Sequence, residues 1–147
     1  MGEVTRMLSA AVKQSPTDPA LLSALGYVEQ LHGHADRARE LYRRALSVDP
    51  DSIDALNNLG VLEIKAGRTG EAVKLWQKAF QHSPASSSLG MNIARAFCDN
   101  EHFDEAQTVI LRVLQFNPDY MPAKKLLQKM NHEPPGCGSF RDERSRR

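Results

Sequence analysis

A period of about 34 residues recurs through this chain and constrains its fold more than any other feature. Residues 19–52 laid over 53–86 pair Leu22 with Leu56, Leu25 with Leu59, Gly26 with Gly60 and Glu29 with Glu63. The match continues through Gly33 and Gly67, Ala38 and Ala72, Leu41 and Leu75, Ala45 and Ala79, and Pro50 and Pro84. Residues 87–120 keep Ala94 where the other copies have their first glycine, then Ala106 and Pro118. In the other direction, Ala11 and Pro16 stand one period before Ala45 and Pro50. A unit this short cannot bury an apolar face by itself, so its copies must stack, each covering its neighbour.

Each unit reads as two helices. In 53–66, Leu56, Leu59, Gly60 and Glu63 fall at i, i+3, i+4 and i+7, which is one helical face. Gly67 sits where a helix C-cap needs a left-handed residue. Ala72, Leu75, Trp76, Ala79 and Phe80 then line a second helix. Pro84 closes it, because proline has no N–H to donate and biases the residue before it away from α. The first unit has Gly33 as its break and Asp49-Pro50 as its stop. Helices approach closely only where side chains are small, so Gly26, Gly60 and Ala94 mark the crossing on the first helix of each pair. Ala38, Ala72 and Ala106 are the expected matching points on the second, with Tyr42, Trp76 and Ile110 on the same stripe.

These residues resemble the tetratricopeptide repeat family, whose unit is a helix–turn–helix of about 34 residues. Leu25-Gly26, Ala38, Ala45 and Pro50 fit its pattern, as do Leu59-Gly60, Ala72, Ala79 and Pro84. The third unit departs, with Ile93-Ala94 for Leu-Gly and Val113 for the second alanine. The resemblance covers about residues 3–130. It implies an all-α fold, an α-solenoid of antiparallel helix pairs forming a right-handed superhelix. The expected divisions are 1–18 as the second helix of an incomplete repeat, repeats over 19–52, 53–86 and 87–120, a capping helix over 121–131 and a disordered tail over 132–147. The family usually places a large apolar residue where this chain has Glu29 and Glu63, and Phe97 follows that habit. A carboxylate buried there alone would be costly, so a nearby Arg or Lys is expected to pair with each.

Charge and composition narrow the function. Lys and Arg total 19 against 18 Asp and Glu, a formal charge of +1, which speaks against nucleic-acid binding by phosphate neutralisation. No apolar run approaches the roughly 20 residues that cross a bilayer, and the N-terminus lacks a secretory apolar stretch. A soluble, cytoplasmic protein without membrane contact is the default expectation. The raw start of the array suggests a fragment of a longer protein, or an exposed end where Leu8, Ala11 and Val12 pack inward and the other side docks or self-associates.

Catalytic constellations are missing from the sequence. His32-Gly33-His34 places two histidines at a turn, one ligand short of a metal site. His82, His102 and His132 fall near helix ends or turns. Cys98 reads as packing or groove wall, and Cys137 as a free thiol in a flexible tail with no activating cation beside it. The expectation is no enzyme, no cofactor and no metal.

What the resemblance implies instead is a protein–protein interaction scaffold whose concave face, lined by the first helix of each repeat, takes a peptide or protein segment. The matching positions here include Tyr27, Asn57, Asn58, Val61, Ile64 and Lys65, then Met91, Asn92 and Arg95, with Lys125 and Lys129 from the last helix. Ser23, Leu31 and Cys98 fall on the same lining. Asn offers both a donor and an acceptor to a peptide backbone, and Tyr27 is the expected anchor. Some family members clamp a terminal carboxylate with Lys, Asn and Arg. Here those positions hold Ser23, Tyr27, Asn58, Ser88 and Asn92, and only Asn58 agrees. Lys65, Arg95, Lys125 and Lys129 gather positive charge toward the C-terminal end, so an acidic portion of the ligand is expected over it. The alternative is a docking, regulatory or self-assembly segment of a larger enzyme or multiprotein machine. RNA recognition by a related class of slightly longer helical repeats is disfavoured by the fixed period and the charge balance.

Overall fold

Most of the described helices stop beside a proline or a glycine. The computed structural model describes residues 2–132 and Cys137, and among them eight helices and no strand occur. They are α1 (Gly2–Gln14), α2 (Pro19–Leu31), α3 (Ala35–Val48), α4 (Ile53–Lys65), α5 (Thr69–His82), α6 (Ser87–Asp99), α7 (Phe103–Phe116) and α8 (Met121–Met130). α1, α3, α5 and α7 each close two residues before a proline: Pro16, Pro50, Pro84 and Pro118. α2 begins behind the Asp18 carboxylate, which accepts from the backbone N–H groups of Ala20 and Leu21, with Pro19 in the first turn.

The tight turns repeat their hydrogen bonds at the same spacing. Gly33 N–H donates to the Gln30 carbonyl and His34 N–H to that of Glu29. Gly67 to Ile64 and Arg68 to Glu63 follow, then Glu101 to Cys98 and His102 to Phe97. This closure requires a left-handed residue, and Gly33 and Gly67 supply it at φ +82° and +78°. The third turn forces Glu101 into the same region at φ 63°, where a Cβ crowds the backbone.

The chain divides into two compact units at the His82–Ser83 junction, α1–α5 in the first and α6–α8 in the second. In the first, Val12 of α1 joins Leu22, Leu25, Leu41, Ala45 and Ala55 in one apolar cluster, with Leu8 packed against it. Ala38 and Tyr42 of α3 join Leu59 and Leu62 of α4 in another. Ala38 therefore serves the seam between successive helix pairs. The atoms nearest each crossing glycine belong to a ring of the second helix. A Cβ on Gly26 would lie 2.8 Å from Tyr42 Cε1, and one on Gly60 would lie 2.8 Å from Trp76 Cδ1. The glycines make room for rings of the second helix, and Trp76 Nε1 donates to the Asn57 carbonyl at 3.2 Å. Where α6 carries Ala94 with its Cβ, α7 has the smaller Ile110 in the ring's place, and both are fully buried. Burial, with the Tyr27 phenol nearby, pushes the Tyr42 hydroxyl far up, and it donates to Gln30 Oε1.

Successive pairs are also latched by charge. Arg44 donates to the Pro16 carbonyl at 3.2 Å, and Lys78, one period on, donates to that of Pro50 at 2.6 Å.

In the second unit, Leu89, Ile93 and Ala94 of α6 and Ala106, Ile110 and Val113 of α7 are buried. Ala123, Leu126 and Met130 form the buried edge of α8. Cys137 is not a free thiol: it is joined to Cys98, which is buried on α6, with their Cα atoms 5.8 Å apart. Spacing alone does not reveal a pairing across 39 residues, because only the fold brings the two Cβ atoms together. The rest of the expected tail, 133–136 and 138–147, lies outside the described residues.

Two stability measurements follow. Gly60→Ala should cost about 1–3 kcal/mol by overpacking. Adding Trp76→Ile should recover part of it, giving a coupling of at least about 0.5 kcal/mol in a double-mutant cycle by urea denaturation. Glu101→Gly should stabilise the chain by about 1 kcal/mol, whereas Gly33→Ala and Gly67→Ala should each destabilise it.

Candidate functional site

The side chains that the sequence assigns to a groove divide between the two units. In the first, Tyr27 stands exposed on α2, with Leu31 one turn further on, at 48% and 54% of their full accessibility. On the adjacent α4, Asn57, Asn58, Val61 and Ile64 are half-buried and Lys65 is exposed. α2 and α4 are neighbouring helices of the first unit. Ser23 lies on the same helix as Tyr27 but is buried.

The second unit presents a smaller set. Asn92 and Arg95 are half-buried on α6, and Lys125 and Lys129 are exposed on α8. Met91 is only 3% exposed and packs in the core. Cys98 is likewise buried and bridged. Neither side chain lines a surface. An apolar exposure missed by the repeat pattern lies on α7, where Leu111 and Phe116 are more than half exposed beside Thr108, Arg112 and Gln115. Its signal is available in Leu111 and Phe116, which the inward stripe of Ala106, Ile110 and Val113 does not include.

Glu29 and Glu63 carry the strongest electrostatics. Both carboxylates are buried, and both are paired, as their cost when alone requires. Glu29 Oε2 lies 2.7 Å from His34 Nδ1, and Oε1 is ion-paired with Arg37 Nε at 3.2 Å. Glu63 Oε1 accepts from Arg39 Nε at 2.8 Å, and its Oε2 accepts from Arg68 Nε. Arg68 stands one period after His34, so the same turn position supplies a partner in both places. Arg39 comes from α3, which makes Glu63 a tie between helix pairs. In the third turn, Phe97 meets the His102 ring edge-on at 6.2 Å instead.

The Arg68 hydrogen bond first, and then that of Arg39, hold the Glu63 carboxyl below its ordinary value of 4.5, against the upward push of burial. A carboxyl depressed on folding adds stability that is complete above its unfolded pKa and is lost as pH falls through the folded one. Urea titrations between pH 7 and pH 3 should show this loss setting in below about pH 4.5. Glu63→Gln should lower stability at pH 7 and flatten that acid limb.

Comparison with known proteins agrees with this architecture. Residues 6–131 match the family model of the tetratricopeptide repeat protein 21 C-terminal ARM domain. The chain is 31% identical over 104 residues to tetratricopeptide repeat protein 8 of Caenorhabditis elegans, covering 71% of this chain and 21% of that protein. It is 28% identical over 122 residues to the protein CTR9 homolog of Arabidopsis thaliana, covering 81% and 11%. With anaphase-promoting complex subunit 7 of the same plant it shares 24% over 139 residues, covering 92% and 25%. The chain thus spans no more than a quarter of the length of these relatives. Among solved structures, MamA residues 41–end from Desulfovibrio magneticus RS-1 superposes with a TM-score of 0.78 at 17% identity, covering 98% of this chain and 78% of that one. A tetratricopeptide repeat protein from Parabacteroides merdae gives 0.76 at 22%, covering 82% and 48%. No described helix is long and apolar enough to cross a membrane. An all-helical repeat fold whose family match runs from residue 6 to residue 131 places the chain in the tetratricopeptide repeat family.

Proposed function

We propose that this chain is a protein-interaction scaffold that binds a peptide or protein segment on the α2–α4 face and performs no catalysis of its own. The observation that carries the reading is the exposed Tyr27–Leu31 pair beside half-buried Asn58, Val61 and Ile64. Covering the exposed half of a leucine is worth about 1 kcal/mol, while an exposed ion pair typically contributes about 0–1 kcal/mol. Apolar side chains therefore anchor the segment, and amides fix its backbone. Lys65, exposed at the end of α4, favours an acidic portion of the ligand, which electrostatics would steer more than hold, while Arg95, Lys125 and Lys129 give the second unit positive charge of its own. Nucleic acid is not the partner in this reading.

The absence of catalysis is supported by how the buried carboxylates are used. Both oxygens of Glu29 and both of Glu63 are engaged by His34, Arg37, Arg39 and Arg68, which suits clasps better than acid–base chemistry. We read 19–52, 53–86 and 87–120 as the repeats of the interaction module, with 1–18 an incomplete one and 121–131 a cap. Relatives include one that is by name a complex subunit and a peroxisomal targeting signal receptor of Candida glabrata, 25% identical over 76% of this chain. Both fit a module working inside a larger assembly. A second reading, docking or self-association through α1, is favoured by Val4 and Met7, which are 47% and 66% exposed.

Peptides selected against the full chain from a displayed library test the first reading by calorimetry. Tyr27→Ala should weaken binding by at least about tenfold, a hot-spot-sized loss, without changing the melting temperature. Lys65→Glu should weaken it further and reduce its salt dependence. Equal affinity across these variants would refute the assignment of the face. Light scattering of wild type against Met7→Lys separates the second reading, which requires a dimer that the variant loses.

A further inference from the structure

The first turn differs from the second in a way that its role as a clasp does not explain. Glu63 is neutralised by two guanidinium groups, Arg39 and Arg68. Glu29, with a side chain just 2% exposed, has one permanent cation, Arg37, on Oε1, and that side chain is 62% exposed. Its other oxygen, Oε2, faces the imidazole of His34, which is cationic only when protonated. A buried carboxylate here is short of one positive charge relative to its counterpart.

The same turn gathers ligand atoms. Gly33, at φ +82°, folds the chain back so that His32 and His34 come together, their ring centroids 6.1 Å apart. One ligand atom each from Glu29, His32 and His34 lies within 4.8 Å of the others. The histidine pair looks one ligand short in the sequence, and the fold supplies the third from the end of α2. Both rings are exposed, while the carboxylate is buried.

We propose that Glu29, His32 and His34 bind a divalent transition-metal ion of the zinc class. Two imidazoles and a carboxylate are a donor set suited to zinc, nickel or copper, and three protein ligands leave a fourth position for water. Ligand atoms about 2.0–2.1 Å from a tetrahedral ion stand roughly 3.3 Å apart. The 2.7 Å between Oε2 and Nδ1 therefore opens by about 0.6 Å, and the wider separation closes by ring rotation. Arg37 keeps Oε1, so the ion takes the oxygen that lacks a permanent cation. The other turns cannot repeat the site: the equivalent positions hold Glu63, Ala66 and Arg68, then Phe97, Asn100 and His102. One ion per chain follows, pinning the end of α2 to the start of α3.

Calorimetric titration of the full chain with zinc chloride tests this, together with the melting temperature at each zinc concentration. Wild type should take up one equivalent and melt at a higher temperature. His32→Ala changes an exposed ring and leaves the Glu29 clasp in place, and it should weaken binding by at least about tenfold, the scale on which even outer-sphere partners matter. His102→Ala, in the third turn, should bind as wild type does. No uptake by wild type at millimolar zinc, or uptake that His32→Ala leaves unchanged, would overturn the proposal. Loss of uptake in His102→Ala would overturn it equally.

Discussion

The first unit depends on two helices lying close enough for a ring of one to rest on the bare backbone of the other. Tyr42 occupies the space beside Gly26 and Trp76 the space beside Gly60, where a single Cβ would collide. Interiors are packed to near-crystalline density, so removing a side chain from one helix allows a large one on its partner without a void. That exchange explains why the first helix of each pair is apolar yet has small residues at its centre. It also explains why α6 can carry Ala94, since the matching position of α7 is Ile110 and not a ring. Once the pair is set, Ala38 sits in the cluster that joins α3 to α4, and Arg44 and Lys78 latch the Pro16 and Pro50 carbonyls to the next pair.

The buried carboxylates complete the geometry at the other end of each pair. A repeat that used a large apolar residue at these positions would fill the turn by packing alone, as Phe97 does against His102. Glu29 instead ties the turn to Arg37 on the following helix, and Glu63 ties Arg68 of its turn to Arg39 back on α3. The turn end is thereby held. Tyr27 and Leu31 can stay exposed on α2 because the core does not require them. Rigid presentation of an apolar pair beside amides is how a helical repeat recognises an extended segment at low entropic cost.

Much of this is legible in the sequence. The period predicts the helix pairs, and the prolines and glycines mark their ends, because both act through the local backbone. The pairing of Glu29 and Glu63 is predictable from cost alone, although not their partners. His34 and Arg68 share a repeat position, but Arg39 reaches Glu63 through space across 24 residues. Small residues reveal the close crossings but not what fills them, since helical periodicity sets a face and not which residue occupies a gap. Met91 falls on the expected lining yet lies in the core, because repeat register points to a face without showing how deep it lies. The Cys98–Cys137 link and the approach of Glu29 to His32 and His34 are tertiary facts that no spacing encodes.

The claim that the α2–α4 face is the working surface is tested most directly by following backbone amide NMR shifts while a selected peptide is titrated into the full chain. Saturable shifts confined to α2 and α4, strongest around Tyr27, Leu31, Asn58 and Val61, are the predicted result. Shifts centred on α7 around Leu111 and Phe116, or on α1, with α2 and α4 unmoved, would contradict it.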